Sequence, residues 1–241
     1  MKNILSLAAL MLFATIVLAQ ENPEPPKKKP INLSNRSNDH FLVQFGYTSW
    51  ASAPDSAKPE GFSKSFNVYF MYDFPFKTNP RLSMAFGPGI STDHIIFKST
   101  YVGIKDLTAT IPFTDQSDTT HFKKTKLATA YLEAPIEFRY TADPLNAGKS
   151  FKFAIGVKVG TMLNAHTRNA KLEDKDGNTL NDYTMKEASK RFFNKNRLVG
   201  TARIGYGHFT LFGSYQFTTL FKDGAGPQVK PFTIGLTLSG L

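Results

Sequence analysis

The sequence contains no cysteine among its 241 residues. This absence excludes a disulfide framework and a lipid anchor on a mature N-terminal cysteine, so stability must come from burial and sheet closure. After residue 20, no run approaches the roughly 18 unbroken apolar residues that a membrane helix requires. Zinc-ligand spacings, phosphate-binding glycine loops and nucleophile elbows are also missing. We therefore expect no catalytic residue, no metal site and no cofactor.

The first 39 residues predict export. Residues 1–19 combine Lys2 with an apolar stretch and small residues at Val17 and Ala19, which is typical of a signal peptide cleaved after Ala19. An uncleaved anchor is the alternative, but the apolar stretch is short for a bilayer. Residues 20–39 are rich in proline and lysine and predict a disordered periplasmic leader. Residues 40–241 then suit a single domain.

The charge is strongly positive, with a formal net charge of +10. Nucleic acid is a poor partner for an exported chain that lacks a recognition-helix pattern. The basic residues concentrate in the leader and in the long connectors described below. Such connectors would face the phosphates of lipopolysaccharide, so we expect charge compensation there, with a dedicated basic binding site as the alternative.

Period-two alternation of apolar and polar residues dominates the rest of the chain, and no helical period competes over a comparable length. It predicts eight strands, and the connectors between them alternate between long and short. Short turns on one side and long loops on the other are typical of an all-β, eight-stranded antiparallel up-and-down transmembrane β-barrel. The predicted strands are residues 40–51, 63–74, 81–97, 127–140, 151–163, 197–206, 208–220 and 231–239, the third of them bent around Gly87-Pro88-Gly89.

Turn chemistry predicts the pairing of two of these strands. Gly207-His208 suits a two-residue type II′ turn. Such a turn sets Tyr206 opposite Phe209 and Arg203 opposite Phe212, so that apolar residues meet on one face.

Alternation alone does not reveal which face looks outward, because a secreted lipocalin-like barrel has the same period with its apolar face inside. Two observations favour the membrane barrel. The polar face carries Glu133, Glu137, Arg139, Lys158 and Arg203, too many charges for a dry soluble core. Aromatic residues also cluster near the strand ends, where an interfacial girdle lies: Trp50, Phe74, Tyr140, Phe151, Tyr206 and Phe209.

The five charged residues on the polar face are the candidate site. A hairpin turn centred near Leu145-Asn146 would place Glu133 opposite Lys158. An eight-stranded barrel is filled by side chains, so these charges must neutralise one another. We interpret Glu133, Glu137, Arg139, Lys158 and Arg203 as a structural charge network in the lumen, with a proton or ligand site as the alternative.

Other patterns give weaker hypotheses. Asp39-His40 and Asp93-His94 suggest an Asp/His dyad, but no motif supplies a further partner. Residues 174–178 begin like a calcium loop and fail its later positions, so Asp176-Gly177 is interpreted as a hairpin tip. Residues 184–187 predict a cap on a short helix that runs to residue 193. Phe192-Phe193 would contact a partner or, as we favour, pack over the barrel mouth.

The segment 130–140, with sequence AYLEAPIEFRY, resembles a signature strand of the PorT-like outer-membrane β-barrel family. The strand containing Gly156-Val157-Lys158-Val159-Gly160 and the closing stretch 232–236 are similar to that family in style. The chain departs from many outer-membrane proteins by ending without a terminal aromatic residue. The resemblance implies an eight-stranded outer-membrane barrel and, more weakly, an accessory role in protein secretion.

Together these observations predict an integral protein of a Gram-negative outer membrane that is not an enzyme. Its expected partners are outer-membrane lipid and lipopolysaccharide and a protein bound by the extracellular loops, chiefly residues 98–126 and 164–196. A secretion accessory, an enzyme acting on lipid or peptide, and a soluble ligand-binding barrel are the alternatives.

Overall fold

The computed structural model describes residues 40–57 and 59–240. The predicted signal peptide, the predicted leader and Asp39 lie outside the described residues. Within the described ranges, no helix is long and apolar enough to cross a membrane.

The described residues form thirteen strands and two short 3-10 turns, Asp55–Ala57 and Pro144–Lys149. The strands are β1 (Phe41–Ala51), β2 (Lys64–Phe70), β3 (Tyr72–Pro75), β4 (Leu82–Phe86), β5 (Gly89–Phe97), β6 (Thr100–Val102), β7 (Phe113–Asp115), β8 (His121–Thr141), β9 (Phe151–Glu173), β10 (Thr179–Ala188), β11 (Asn196–Tyr206), β12 (Phe209–Gln216) and β13 (Lys230–Ser239).

Eight antiparallel strands close into a ring, which confirms the predicted up-and-down barrel. β1 pairs with β2 on one side and with β13 on the other, so the sheet has no open edge within the ring. β2 with β3 forms one strand of the ring, and β4 with β5 forms the next. The remaining strands of the ring follow in chain order, β8, β9, β11, β12 and β13.

Two strands of the ring are interrupted where the backbones approach too closely for regular pairing. A Cβ on Gly87 would lie 1.9 Å from the carbonyl oxygen of Phe70, so only glycine fits there. Pro88 has no N–H to donate, but its carbonyl accepts the amide of Phe70 at 2.9 Å. This is the bend predicted at Gly87-Pro88-Gly89.

The interior of the ring is polar and its exterior is apolar. Inward side chains such as Gln44, Asn67 and Glu137 are buried, whereas outward ones such as Phe45, Ile136 and Leu211 are exposed. The lipocalin-like alternative, with an apolar interior, is therefore wrong. An exposed apolar band of this kind is stable only against lipid.

The two ends of the barrel differ in the length of their connections. Short connections at residues 76–81, 142–150 and 207–208 lie at one end of the barrel. The first residue of β1 and the last residue of β13 lie at the same end. The hairpin at Gly207 has the predicted register, with Tyr206 opposite Phe209 and Arg203 opposite Phe212. The long connections lie at the other end, as an outer-membrane barrel requires.

A sheet, here called the extension, continues from the ring at the long-loop end. It comprises residues 121–129 of β8, residues 165–173 of β9 and all of β10, and β5 pairs with β8 as far as Thr125. β8 and β9 have 21 and 23 residues, about twice what a tilted membrane strand needs. The predicted bounds of these strands, 127–140 and 151–163, were wrong at the long-loop end, whereas the predicted hairpin tip at Asp176-Gly177 is confirmed.

The helix predicted after Thr184 is wrong. Thr184–Ala188 pairs with residues 166–170 of β9, so the cap-like sequence lies in a strand. Sheet pairing supplies the backbone hydrogen bonds that a helix would have made and overrides the local signal.

The barrel mouth at the long-loop end is closed by an apolar core. Phe192 and Phe193 are buried there, which confirms that they pack over the mouth. The ring centroids of Phe193 and Phe221 lie 5.1 Å apart, and those of Trp50 and Phe97 lie 5.5 Å apart. Trp50, expected in the interfacial girdle, is thus buried in this core instead. Aliphatic side chains of the loops complete this mouth core: Val102, Ile104, Ile111, Leu220 and Val229.

Candidate functional site

All five predicted site residues lie inside the barrel. β8 contributes Glu133, Glu137 and Arg139, since residues two apart on a strand share a face. β9 contributes Lys158, and β11 contributes Arg203. Each is no more than 5% exposed. The structure divides these residues, with others that the sequence analysis did not predict, into two groups along the lumen.

The first group, nearer the mouth, centres on Arg197. Its Nη2 lies 2.6 Å from Oε1 of Glu133, and its Nη1 donates to Oδ2 of Asp93 at 2.8 Å. Nη2 also donates to the hydroxyl of Ser91 at 2.8 Å. The guanidinium carbon lies 3.7 Å from the ring centroid of Tyr131, a cation–π contact. One arginine thus bridges two carboxylates from different strands.

Tyr69 and Lys158 complete the first group. The Tyr69 hydroxyl donates to Oε2 of Glu133 at 2.5 Å and accepts from Nζ of Lys158 at 3.1 Å. Nζ of Lys158 lies 3.9 Å from the same carboxylate. The lysine therefore reaches Glu133 mainly through the tyrosine.

The predicted register of this hairpin was wrong by two residues. Lys158 lies opposite Pro135, and Glu133 lies opposite Gly160. The turn is centred one residue later than expected, between Asn146 and Ala147, because Pro144–Lys149 forms a 3-10 turn. A shift by two residues keeps both side chains on the lumen face.

The second group, nearer the short turns, centres on Glu137. Arg203 donates to it from Nη2 at 2.6 Å and from Nε at 3.2 Å, a bidentate pair. Arg139 donates to the same carboxylate at 3.0 Å, and its Nη1 lies 3.7 Å from Oδ1 of Asp73. Two arginines therefore share one glutamate, and Arg139 also lies near a second carboxylate.

The rest of the lumen holds mainly uncharged polar side chains, together with the buried Lys152 and a small apolar cluster that includes Leu42. Asn67 accepts from Ser65 at 3.1 Å and from Ser91 at 2.5 Å, and donates to Gln44 at 3.4 Å. Two voids that border the charged groups measure about 20 Å³ and about 10 Å³. A void of this size holds one water at most, so the lumen is packed and does not form a channel.

Sequence reasoning missed Arg197, and it considered Asp93 only as part of a dyad. Arg197 lies six residues from Arg203 on the same strand, so parity alone would have placed both inside. Asp93 was not assigned to the lumen face because the bend at residues 87–89 interrupts the period-two alternation of its strand. Tyr69 shares the inward parity of Asn67 on β2, but its contact with Glu133 spans 64 residues and leaves no local signal.

The Asp93-His94 dyad does not form. Neighbouring residues of a strand point to opposite faces, so Asp93 lies in the lumen on Arg197 while His94 faces outward. His40, His121 and His208 each contact a backbone carbonyl oxygen through Nδ1. Among the described residues, no group of three or more His, Cys, Asp or Glu side chains could hold a metal ion.

Comparison with known proteins supplies the family. The sequence matches the model of the outer membrane protein beta-barrel domain over residues 18–220. The chain belongs to this family. It is therefore an integral outer-membrane barrel, in agreement with its exposed apolar band.

Solved structures of other outer-membrane proteins show more distant similarity. The crystal structure of Ail, the attachment invasion locus protein of Yersinia pestis, in complex with the heparin analogue sucrose octasulfate is 14% identical, with a TM-score of 0.35, and the match covers 83% of this chain and 94% of that one. Ail in a phospholipid bilayer nanodisc is 15% identical, with a TM-score of 0.31, covering 84% and 99%. A mutant porin of Rh. blastica is 7% identical, with a TM-score of 0.21, covering 83% and 98%. No curated protein matches the sequence.

Proposed function

We propose that this protein is a non-enzymatic outer-membrane barrel that binds a protein partner through its extension. The observation that carries the proposal is the extension itself, in which β8 and β9 continue well beyond the apolar band and recruit β10. A sheet built on a closed barrel offers a rigid surface outside the membrane. Segments that connect the strands of a rigid scaffold commonly carry function.

The closed lumen favours this role over transport. The lumen charges face one another in two compact groups, and the mouth core covers the long-loop end. We interpret Glu133, Glu137, Arg139, Lys158 and Arg203 as structural, because a buried charge is tolerated when it is paired and hydrogen-bonded.

The exposed edge strand of the extension is the proposed contact surface. Leu180 is 56% exposed and Tyr183 is 42% exposed on β10. Within the part of the chain that the structure describes, β10 pairs with β9 along one side only, so its other edge presents unpaired backbone groups. A partner strand or loop would bind there.

Photocrosslinking in intact cells tests the proposal. A photoreactive residue at Tyr183 should give a discrete protein adduct, identified by mass spectrometry. The same residue at Phe138, on the apolar band of β8, is the matched control and should give none. Absence of any adduct from Leu180, Tyr183 and Thr184 would overturn the proposed partner binding.

A second candidate is an accessory role in protein secretion. It rests on the resemblance of residues 130–140 to the PorT-like family, a segment that also supplies three of the lumen charges. Deletion should then abolish export of specific cargo while membrane integrity stays normal. Unchanged secreted proteins after deletion would eliminate this candidate.

A further inference from the structure

The outward face of the extension carries a row of basic side chains in register. Lys126 lies directly opposite Arg168, and Arg168 lies directly opposite Lys186, on three successive strands. Lys124 follows two residues from Lys126 on the same face of β8, and Lys64 lies on the outward face of β2. These five residues are here called the basic row.

The basic row is not balanced by neighbouring acids. Within the described residues, none of its five members forms an ion pair. Like charges directly opposite each other on paired strands are destabilising. Burial and then the neighbouring cations, Arg168 first, lower the pKa of Lys126 in the extension below its usual value. Such an arrangement is stabilised by an anion.

A groove of about 830 Å³ lies beside the row and gives such an anion a place. Lys64, Lys124, Lys126 and Arg168 line it, and Lys98 and Lys123 add two more cations. Its single carboxylate, Glu173, is held by Lys123 at 2.9 Å and so does not neutralise the row. The groove is large enough for a sugar-phosphate head group.

The groove also touches the apolar band. Phe62 lines it and is 62% exposed, and Phe62 packs 5.7 Å from Tyr47 on the lipid face of β1. On β2, Lys64 lies two residues from Phe66, which is exposed in the band on the same face. The groove therefore places cations on the extension next to the apolar surface of the barrel. This arrangement matches a molecule with phosphates at one end and acyl chains at the other.

We propose that the basic row and its groove bind a phosphorylated glycolipid of the outer leaflet, with its phosphates on Lys124, Lys126 and Arg168 and its acyl chains on the apolar band. This inference rests on the proposed function, in which the extension lies outside the membrane. It adds a defined lipid-binding site to the extension. The site lies on the outward face of the sheet, apart from the free edge of β10 where the protein partner is proposed to bind.

Lipid titration of the folded, detergent-solubilised full chain tests this site by native mass spectrometry. The probes are bisphosphorylated lipid A, enzymatically dephosphorylated lipid A and inorganic phosphate. Lipid A should bind one per protein and at least about tenfold more tightly than its dephosphorylated form, because each charge contact with an anionic lipid contributes about fivefold. Equal binding of both lipids would overturn the proposal, and so would inorganic phosphate that binds as tightly as lipid A.

A triple variant, K124Q/K126Q/R168Q, tests the residues. Three lost charges at about fivefold each should weaken lipid A binding about a hundredfold. The matched control K105Q/K175Q/K195Q removes three exposed loop charges and should bind as the wild type does. Heat-modifiable gel mobility reports folding of both variants.

If the triple variant does not fold, R168Q alone changes one exposed side chain and should still weaken binding about fivefold. Wild-type affinity in a folded triple or single variant would contradict the site. The readout is independent of the Tyr183 crosslink, so loss of one result leaves the other intact.

Discussion

The two halves of β8 belong to one strand but lie in different surroundings: residues 130–141 in the membrane barrel and residues 121–129 in the extension. In the barrel, Leu132 and Ile136 face outward and are exposed, while Glu133 and Glu137 are buried inside. In the extension, the outward residues are Lys124 and Lys126, and the inward residue Leu127 joins the mouth core. The outward face therefore changes from apolar to basic along one continuous strand, while the inward face loses its charges and joins the mouth core at Leu127.

A similar change occurs on the inward face of β5. Its inward residues change from Ser91 and Asp93 to Ile95 and Phe97 within four positions. Lipid rewards an apolar exterior and leaves the inside to paired polar groups, whereas water rewards a polar exterior and an apolar core. The change of solvent thus explains the change of pattern, without any break in the sheet.

The largest effect is expected in the charged interior. Arg197→Met removes the guanidinium that bridges Glu133 and Asp93, which leaves Asp93 without its cation and Glu133 with Lys158 alone, 3.9 Å away. Breaking a buried ion pair from one side costs about 3–5 kcal/mol. Urea unfolding in detergent, followed by gel mobility, measures it.

The matched control is Arg81→Met, which changes an exposed arginine in a short turn and should alter stability by less than about 0.5 kcal/mol. Equal stability of the two variants would show that the lumen network contributes nothing beyond its volume.

A comparable loss, confined to the long-loop end, is expected in the mouth core. Phe193→Ala leaves a cavity beside Phe221, and such a deletion typically costs about 3 kcal/mol or more. The barrel beneath is held by its own ladder, so the loss should open the long loops and spare the ring. Limited proteolysis should cut residues 98–120 and 189–195 faster, with unchanged heat-modifiable mobility. Loss of the folded barrel band would contradict separate stability of the two regions.

On the outward face of β8, the barrel half and the extension half should differ in how much a change of charge alters the free energy of unfolding. Ile136→Arg places a cation in the apolar band and should cost about 2–4 kcal/mol near the membrane midplane. Lys124→Leu, on the same face of the same strand, should change stability by less than about 0.5 kcal/mol. Equilibrium unfolding in lipid vesicles compares them, and a reversed order would place the membrane boundary elsewhere.

How much the sequence predicts depends on how local the signal is. The Gly207-His208 hairpin was predicted in register because a two-residue turn leaves no freedom. The Glu133–Lys158 pairing was displaced because a nine-residue connection can be centred in more than one way. The extension was missed because its outward residues are basic and not apolar, and because Thr184–Ala188 is a strand only through its pairing with β9.

Of the lumen network, parity predicts which residues lie inside but not which of them meet. Arg203 reaches Glu137 across β9, and Tyr69 reaches Glu133 across β5 at the level of Gly89. Such contacts depend on the ring diameter and on rotamers, which the periodicity of a strand does not encode.

Single-cysteine labelling tests the central claim most directly, because the natural chain has no cysteine and each variant carries one unique thiol. Lys124→Cys and Ile136→Cys lie on the same face of β8, and Asn146→Cys lies in a short turn. In intact cells, a membrane-impermeant maleimide should label Cys at position 124 and leave positions 136 and 146 unmodified. Labelling at position 136 would contradict the lipid-facing band, and labelling at 146 instead of 124 would reverse the orientation of the barrel.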